Sequence, residues 1–126
     1  MPTMTFADFV PGTVLGNDRF TVDAWWLAQW AIAVPGAAPS PGAIAMALAM
    51  RSYLSILRDR TPGNLHARQQ VSVRRAVAAG DTVMSRLTCE SAELRHERRR
   101  VVLAVAACDA QGDAFFEARM TILWAR

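Results

Sequence analysis

Between Ala43 and Met50 the chain carries eight apolar residues in succession, and no breaker follows until Thr61-Pro62-Gly63. Alanine, leucine and methionine all favour the helical state, so the pattern predicts a helix over Ala43–Arg58. Its first half is apolar on every side and should be wrapped by other elements, whereas from Arg51 onward it becomes amphipathic and meets water. The alternate alanines 43, 45, 47 and 49 allow neighbouring backbone to come close. Upstream, "TVDAWWLAQWAIAV" (21–34) predicts a second helix, with Thr21 or Asp23 as its cap. Trp26 and Trp30 stand four residues apart on one face of it, with Leu27 and Ala31 beside them.

Beyond residue 66 the period changes from helical to two. In "ARQQVSVRRAV" (67–77), Val71, Val73 and Val77 fall on one side and Arg68, Gln70, Ser72 and Arg74 on the other. "AAGD" (78–81) then turns the chain. "TVMSRLTCESAEL" (82–94) alternates again and places Val83, Leu87 and Cys89 together. A charged turn, "ELRHERRR", leads to "VVLAVAAC" (101–108), apolar on both faces as a central strand is. "DAQGD" turns once more into "AFFEARMTILWA" (114–125). The first twenty residues, with Phe6, Phe9, Val10, Val14 and Leu15 among Gly12 and Gly16, predict an irregular strand or hairpin. A long helix enclosed by an antiparallel meander follows, an α+β architecture.

With 126 residues, 52% of them apolar and 20% charged, the chain fills one hydrophobic core, so residues 1–126 form one domain and disorder is excluded. The net charge is +3 and every basic residue is an arginine. These arginines are dispersed except for Arg95 and Arg98-Arg99-Arg100, which read as a solvated turn rather than a nucleic-acid site. Cys89 and Cys108 lie in strand-like segments without metal-ligand partners, so both read as reduced, buried thiols and no metal or cofactor is implied. No apolar run approaches the ~20 residues that span a bilayer, and "MPTMTFADFVPG" has no export signal. A cytoplasmic protein independent of membrane and nucleic acid is the expectation.

The order of elements, a short N-terminal strand region, a helix, a Pro-Gly junction, a long buried helix and several long antiparallel strands, resembles the hotdog fold. In that fold a sheet curls around a central helix. "RRAVAAGDTV" (74–83) is similar to the strand-turn R-P-V-x-P-G-D-x-L of MaoC-like hydratases/dehydratases and of 3-hydroxyacyl-[acyl carrier protein] dehydratases, with Ala76 and Ala79 at the proline positions. "DAQGDAFFEARMTILWA" (109–125) is similar to their closing hairpin. The resemblance implies an acyl thioester substrate or ligand, carried on CoA or phosphopantetheine. It also implies a homodimer, or a heterodimer with another hotdog subunit, with the site at the subunit interface.

Against the dehydratase pattern H-F-P-G-x-x-x-x-P-G, residues Pro35, Gly36, Pro41 and Gly42 match. The histidine position is Ala33, and the acidic position on the helix is Ala47. The Asp and His five residues apart that mark the MaoC-like hydratases occur nowhere in the chain. From Ala31 to Met50 there is no Asp, Glu, His, Cys, Lys or Arg at all. Eliminating water from a 3-hydroxyacyl thioester needs one group to take the α-proton and another to protonate the leaving hydroxyl, and alanine does neither.

What remains is backbone. The N–H groups that open a helix, here near Gly42 and Ala43, point outward with partial positive charge. The resemblance gives such amides the thioester carbonyl to hold, an oxyanion-hole role. Gly42 is therefore a candidate catalytic residue, its alternative being plain helix-start geometry. His66, in "NLHARQQ", is a candidate replacement base, its alternative a surface histidine at a strand end. Trp30 (with Trp26), Ser40, Pro41, Ala43 and Ala47 are candidate substrate-binding residues. Trp26 and Trp30 equally suit core packing, and Ser40 its own backbone. Arg68, Arg74 and Arg75 either grip a phosphate or form the wet face of a strand. Asp23 reads as a cap and His96 as a solvated turn residue. Three functions compete: a hydratase/dehydratase with displaced catalytic groups; a hotdog thioesterase or biosynthetic cyclase/isomerase; and a non-catalytic subunit of a hotdog heterodimer.

Overall fold

A computed structural model describes residues 3–33 and 39–126, the side chains of Trp30 and Ala31 excepted. A 3-10 turn (Phe6–Asp8) leads into β1 (Val14–Thr21), α1 (Ala24–Ala33) and α2 (Pro41–Ile56). The strands β2 (Leu65–Val73), β3 (Thr82–Arg95), β4 (Arg98–Cys108) and β5 (Ala114–Trp124) follow. All five strands join one antiparallel sheet in the order β1-β3-β4-β5-β2.

This order corrects the meander in one place. The chain does run β3-β4-β5 through successive hairpins, but β2 pairs with β5 rather than with β3. "AAGD" is a real turn: Asp81 N–H donates to the Ala78 carbonyl at 3.1 Å, and the Asp81 carboxylate accepts from Ala78 N–H at 2.8 Å. It closes a crossover from the β2 edge of the sheet to β3, the strand next to the opposite edge. Val77 is buried in that crossover, past the end of β2, and Val73 is 37% exposed, so only Val71 packs inward from the strand as its period predicts. The β3–β4 turn is tighter than the charged run suggests. It consists of His96 and Glu97 alone, with φ of 48° and 65°, the left-handed pair that matches the twist of a two-residue hairpin.

The helices begin and end where their caps dictate. Thr21 is the last residue of β1, and Asp23 caps α1, its Oδ1 accepting from Trp26 N–H at 2.7 Å. Helix α2 starts two residues before its predicted position because Ser40 caps it and Pro41 occupies the first helical position, where a missing N–H is harmless. The N-terminal segment forms the 3-10 turn and a single strand, not a hairpin.

Helix α2 lies across the concave face of the sheet. Ile44, Ala45, Leu48, Ala49, Ser52 and Tyr53 are buried against a floor that includes Leu87, Leu103, Phe115, Phe116 and Met120. Ala45 and Ala49 are the alanines that let the sheet approach, while Ala43 and Ala47 are only half-buried and Met46 is 42% exposed. The wrapping is therefore one-sided: sheet beneath, an uncovered ridge above. At the helix end, β1 passes so near that a Cβ on Gly16 would stand 2.6 Å from Ile56 Cγ2, which is why that position lacks a side chain.

One polar pair sits inside this apolar layer. Ser52 and Ser85 hydroxyls bond at 2.6 Å and are both buried. Ser85→Ala is expected to cost about 1–2 kcal/mol, because it strands the Ser52 hydroxyl away from water. Adding Ser52→Ala should restore part of the loss, and denaturant melts of the two single variants and the double variant measure that coupling.

Candidate functional site

The start of α2 offers less than a pair of amides. Ser40 Oγ accepts from Ala43 N–H at 3.1 Å, and the Ser40 carbonyl accepts from Ile44 N–H at 3.0 Å. Pro41 has no N–H. Gly42 is left as the one residue of the first turn whose amide has no acceptor among the described residues. Two sequence expectations change accordingly: Ala43 N–H is already used, and the Ser40 hydroxyl is held by the helix rather than free for a ligand. A Cβ on Gly42 would meet nothing nearer than Ser40 Oγ at 4.0 Å among the described residues, so none of them requires glycine there. Gly42 is half-buried and lies outside the clefts found among the described residues. Ala33 is the exposed last residue of α1. Pro35, Gly36 and the Trp30 side chain lie outside the described residues.

Farther along α2, Ala47 opens onto a groove of about 730 Å³ whose walls are Phe20 and Trp26 on one side and Met50 and Leu54 on the other. Phe20 and Trp26 meet edge-to-face with centroids 5.6 Å apart, and the Arg51 guanidinium covers the Phe20 ring at 4.0 Å. Trp26 thus lines this groove while also packing against the core. Among the described residues, Arg51 and Arg58 are the only charged ones on the groove, and no carboxylate, imidazole or thiol lines it. It can seat an apolar chain.

His66 faces a different cleft, of about 450 Å³, beyond the Met50–Leu54 ridge. Tyr53, Arg60, Asn64 and His66 supply its polar groups. The imidazole meets the Tyr53 ring edge-on at 6.4 Å. Burial pushes the Tyr53 hydroxyl above its ordinary pKa, opposed by the nearby Arg60 charge. Asn64 Oδ1 accepts from Ala125 N–H at 2.8 Å, and Arg60 Nη1 donates to the Leu57 and Leu54 carbonyls at 2.6 and 3.2 Å. Asn64 Nδ2 and His66 Nε2 are buried without a partner among the described residues.

The two catalytic candidates are not brought together. Helix α2 runs antiparallel to β2: Gln69 Nε2 donates to the Met46 carbonyl near one end, and Tyr53 meets His66 near the other. Gly42 is eleven residues before Tyr53, or roughly 16 Å along the helix axis. A base must come within about 3 Å of the proton it takes, so His66 does not serve a carbonyl held at Gly42 of the same chain. Sequence reasoning also missed Tyr53, Arg60 and Asn64 as neighbours of His66, since a helix end, a "TPG" turn and a strand start converge there with no motif to mark them.

The remaining candidates have structural partners or none. Arg75 pairs with Asp109 at 2.7 Å and covers Phe115 at 4.1 Å, which removes it from phosphate binding. Arg68, Arg74 and His96 are exposed. Cys89 is fully buried, and burial pushes its thiol up, while Cys108 is half-buried. Among the described residues, no group of three His, Cys, Asp or Glu side chains could hold a metal ion, and no helix is long and apolar enough to cross a membrane.

No protein-family model matches the chain, and no curated protein matches it in sequence. Solved structures do match in shape. The C-terminally truncated HadBC (3R-hydroxyacyl-ACP dehydratase) complex from Mycobacterium tuberculosis is similar at 23% identity and TM-score 0.69, over 84% of this chain and 90% of that one. The MaoC-like dehydratase from Rhodospirillum rubrum is similar at 15% identity and TM-score 0.74, over 98% of both chains. The (R)-hydratase from A. caviae involved in PHA biosynthesis is similar at 15% identity and TM-score 0.73, over 93% of this chain and 98% of that one. Five antiparallel strands curled over one long helix, matched along nearly the full chain, give this protein the hotdog fold of the MaoC-like dehydratases and R-hydratases.

Proposed function

We propose that the chain is an acyl-thioester-binding hotdog subunit of the hydratase/dehydratase kind. It holds the thioester carbonyl at Gly42 and leaves proton transfer to a second hotdog subunit. One observation carries the reading: among the described residues the Gly42 amide at the helix start has no acceptor and no atom crowding it, while no acid or base stands anywhere in the sequence from Ala31 to Met50. A hydrogen bond to the carbonyl favours the enolate that forms when the α-proton leaves, but it does not remove that proton. The apolar groove past Ala47 seats the acyl chain or the carrier arm.

The unpaired outer edge of β2 offers the place where a second subunit extends the sheet. The HadBC complex, a dehydratase assembly of the same fold, supports a heteromeric arrangement. Hydration and dehydration move only protons and water, so this reading needs no metal or cofactor, and it places the protein in the cytoplasm. Purified alone, the chain is expected to bind a non-hydrolysable thioether analogue of an acyl-CoA and to leave crotonyl-CoA unchanged. Mixed with a second hotdog subunit that carries the acid and base, it should form a complex that hydrates crotonyl-CoA. Hydration by the isolated chain, release of CoA thiol (the thioesterase alternative), or failure to bind the thioether overturns the proposal.

A further inference from the structure

Two buried hydrogen-bonding atoms without partners among the described residues, Asn64 Nδ2 and His66 Nε2, belong to side chains that line one small cleft. Buried polar groups are nearly always satisfied, so two failures in adjacent side chains ask for an explanation beyond the fold. The neighbouring groups say what is missing. Asn64 Nδ2 can only donate, Arg60 is cationic with no carboxylate partner among the described residues, and the Tyr53 hydroxyl can donate. No Asp or Glu lines the cleft. Its floor is apolar, built from Met50, Leu54 and Ile122. Strand β2 breaks its ladder register between His66 and Arg68, so an irregularity rather than the plain strand period sets the histidine's direction.

We propose that this cleft is a binding site for a short-chain carboxylate, with its head group among Asn64, His66, Tyr53 and Arg60 and its tail on Met50, Leu54 and Ile122. Donors and a cation without a counter-ion suit a negatively charged acceptor, and the floor suits an aliphatic chain behind it. Rotation of the imidazole about its Cβ–Cγ bond turns a ring nitrogen into the cleft to meet the ligand. The site is separate from the Gly42 helix start and shares only the Met50–Leu54 ridge with the Ala47 groove, its polar groups all lying on the far side, so it stands or falls independently of the thioester reading.

The chain has two histidines, and His96 lies in the exposed β3–β4 turn, which makes it a built-in reference for proton NMR of the imidazole signals. His96→Asn assigns the pair, because asparagine tolerates the left-handed backbone at that position. Titration with hexanoate is expected to move the His66 signals saturably and leave those of His96 in place. Tyr53→Phe keeps the ring against His66 and should raise the hexanoate Kd about fivefold. Acetate, which lacks the tail, should bind about tenfold more weakly than hexanoate. The acyl-CoA thioether should bind Tyr53→Phe as it binds the unaltered chain. The proposal is overturned by an unresponsive His66, by both histidines shifting together, or by acetate or inorganic phosphate binding as tightly as hexanoate (an adventitious ion only). It also fails if Tyr53→Phe leaves the hexanoate affinity unchanged.

Discussion

Gly42→Ala is expected to strengthen the fold and weaken acyl-thioester binding at the same time. In a helix, alanine is favoured over glycine by about 0.5–1 kcal/mol. Among the described residues nothing resists the new methyl, which would lie 4.0 Å from Ser40 Oγ. The melting temperature should therefore rise by a few degrees, roughly what such a gain yields in a chain of this size. The same methyl occupies the space through which a carbonyl must approach the amide to within about 2.9 Å. The Kd for an acyl-CoA thioether is expected to rise at least about tenfold, equivalent to ~1.4 kcal/mol. Thermal melts and a binding titration on one preparation decide it. If glycine sits there only to start the helix, stability rises and affinity stays put, and the carbonyl-holding role is lost.

The second large effect is on stability alone. Leu103 lies in the central strand β4 at 0% exposure, with β3 on one side, β5 on the other and α2 across the face of the sheet. Leu103→Ala removes buried methyl and methylene groups from a place that cannot collapse inward, and the expected cost is about 3–4 kcal/mol. That is a large share of the ~5–15 kcal/mol by which domains are stable. Leu94→Ala supplies the control, since Leu94 is 67% exposed near the β3–β4 turn and should change stability by less than about 0.5 kcal/mol. Urea denaturation of both variants makes the comparison. Similar losses from both would mean that β4 is not the centre of the core.

The faces of the strands could be read in the sequence, because a period of two fixes which side chains share a side. Val83, Leu87 and Cys89 are 3%, 0% and 0% exposed, as their alternation predicts. Neighbour order was hidden, because β2 and β3 have the pattern of a hairpin whether or not they pair. The eight residues between them carry a genuine turn that looks the same in a crossover. The helix start was legible from Ser40, Pro41 and Gly42, but the fate of each amide was not. Only coordinates show that Ser40 Oγ claims Ala43 N–H and spares Gly42. The lack of any acid or base from Ala31 to Met50 was legible outright. The separation of His66 from Gly42 was not, since it depends on α2 and β2 running in opposite directions.

Strand order also governs when this protein can fold. Strand β2 has one partner, β5, and β5 is made last of the five. A nascent chain that has emerged only as far as residue 113 has β1, β3 and β4 to pair and α2 to lie against them, but β2 has no strand to join. Completion therefore waits for residues 114–124 and for the closure of a loop of some forty residues, a slow, non-local step. Until then, synthesis leaves β2 and the outer flank of β4 bare, the moment when a folding helper or a second nascent subunit would matter most.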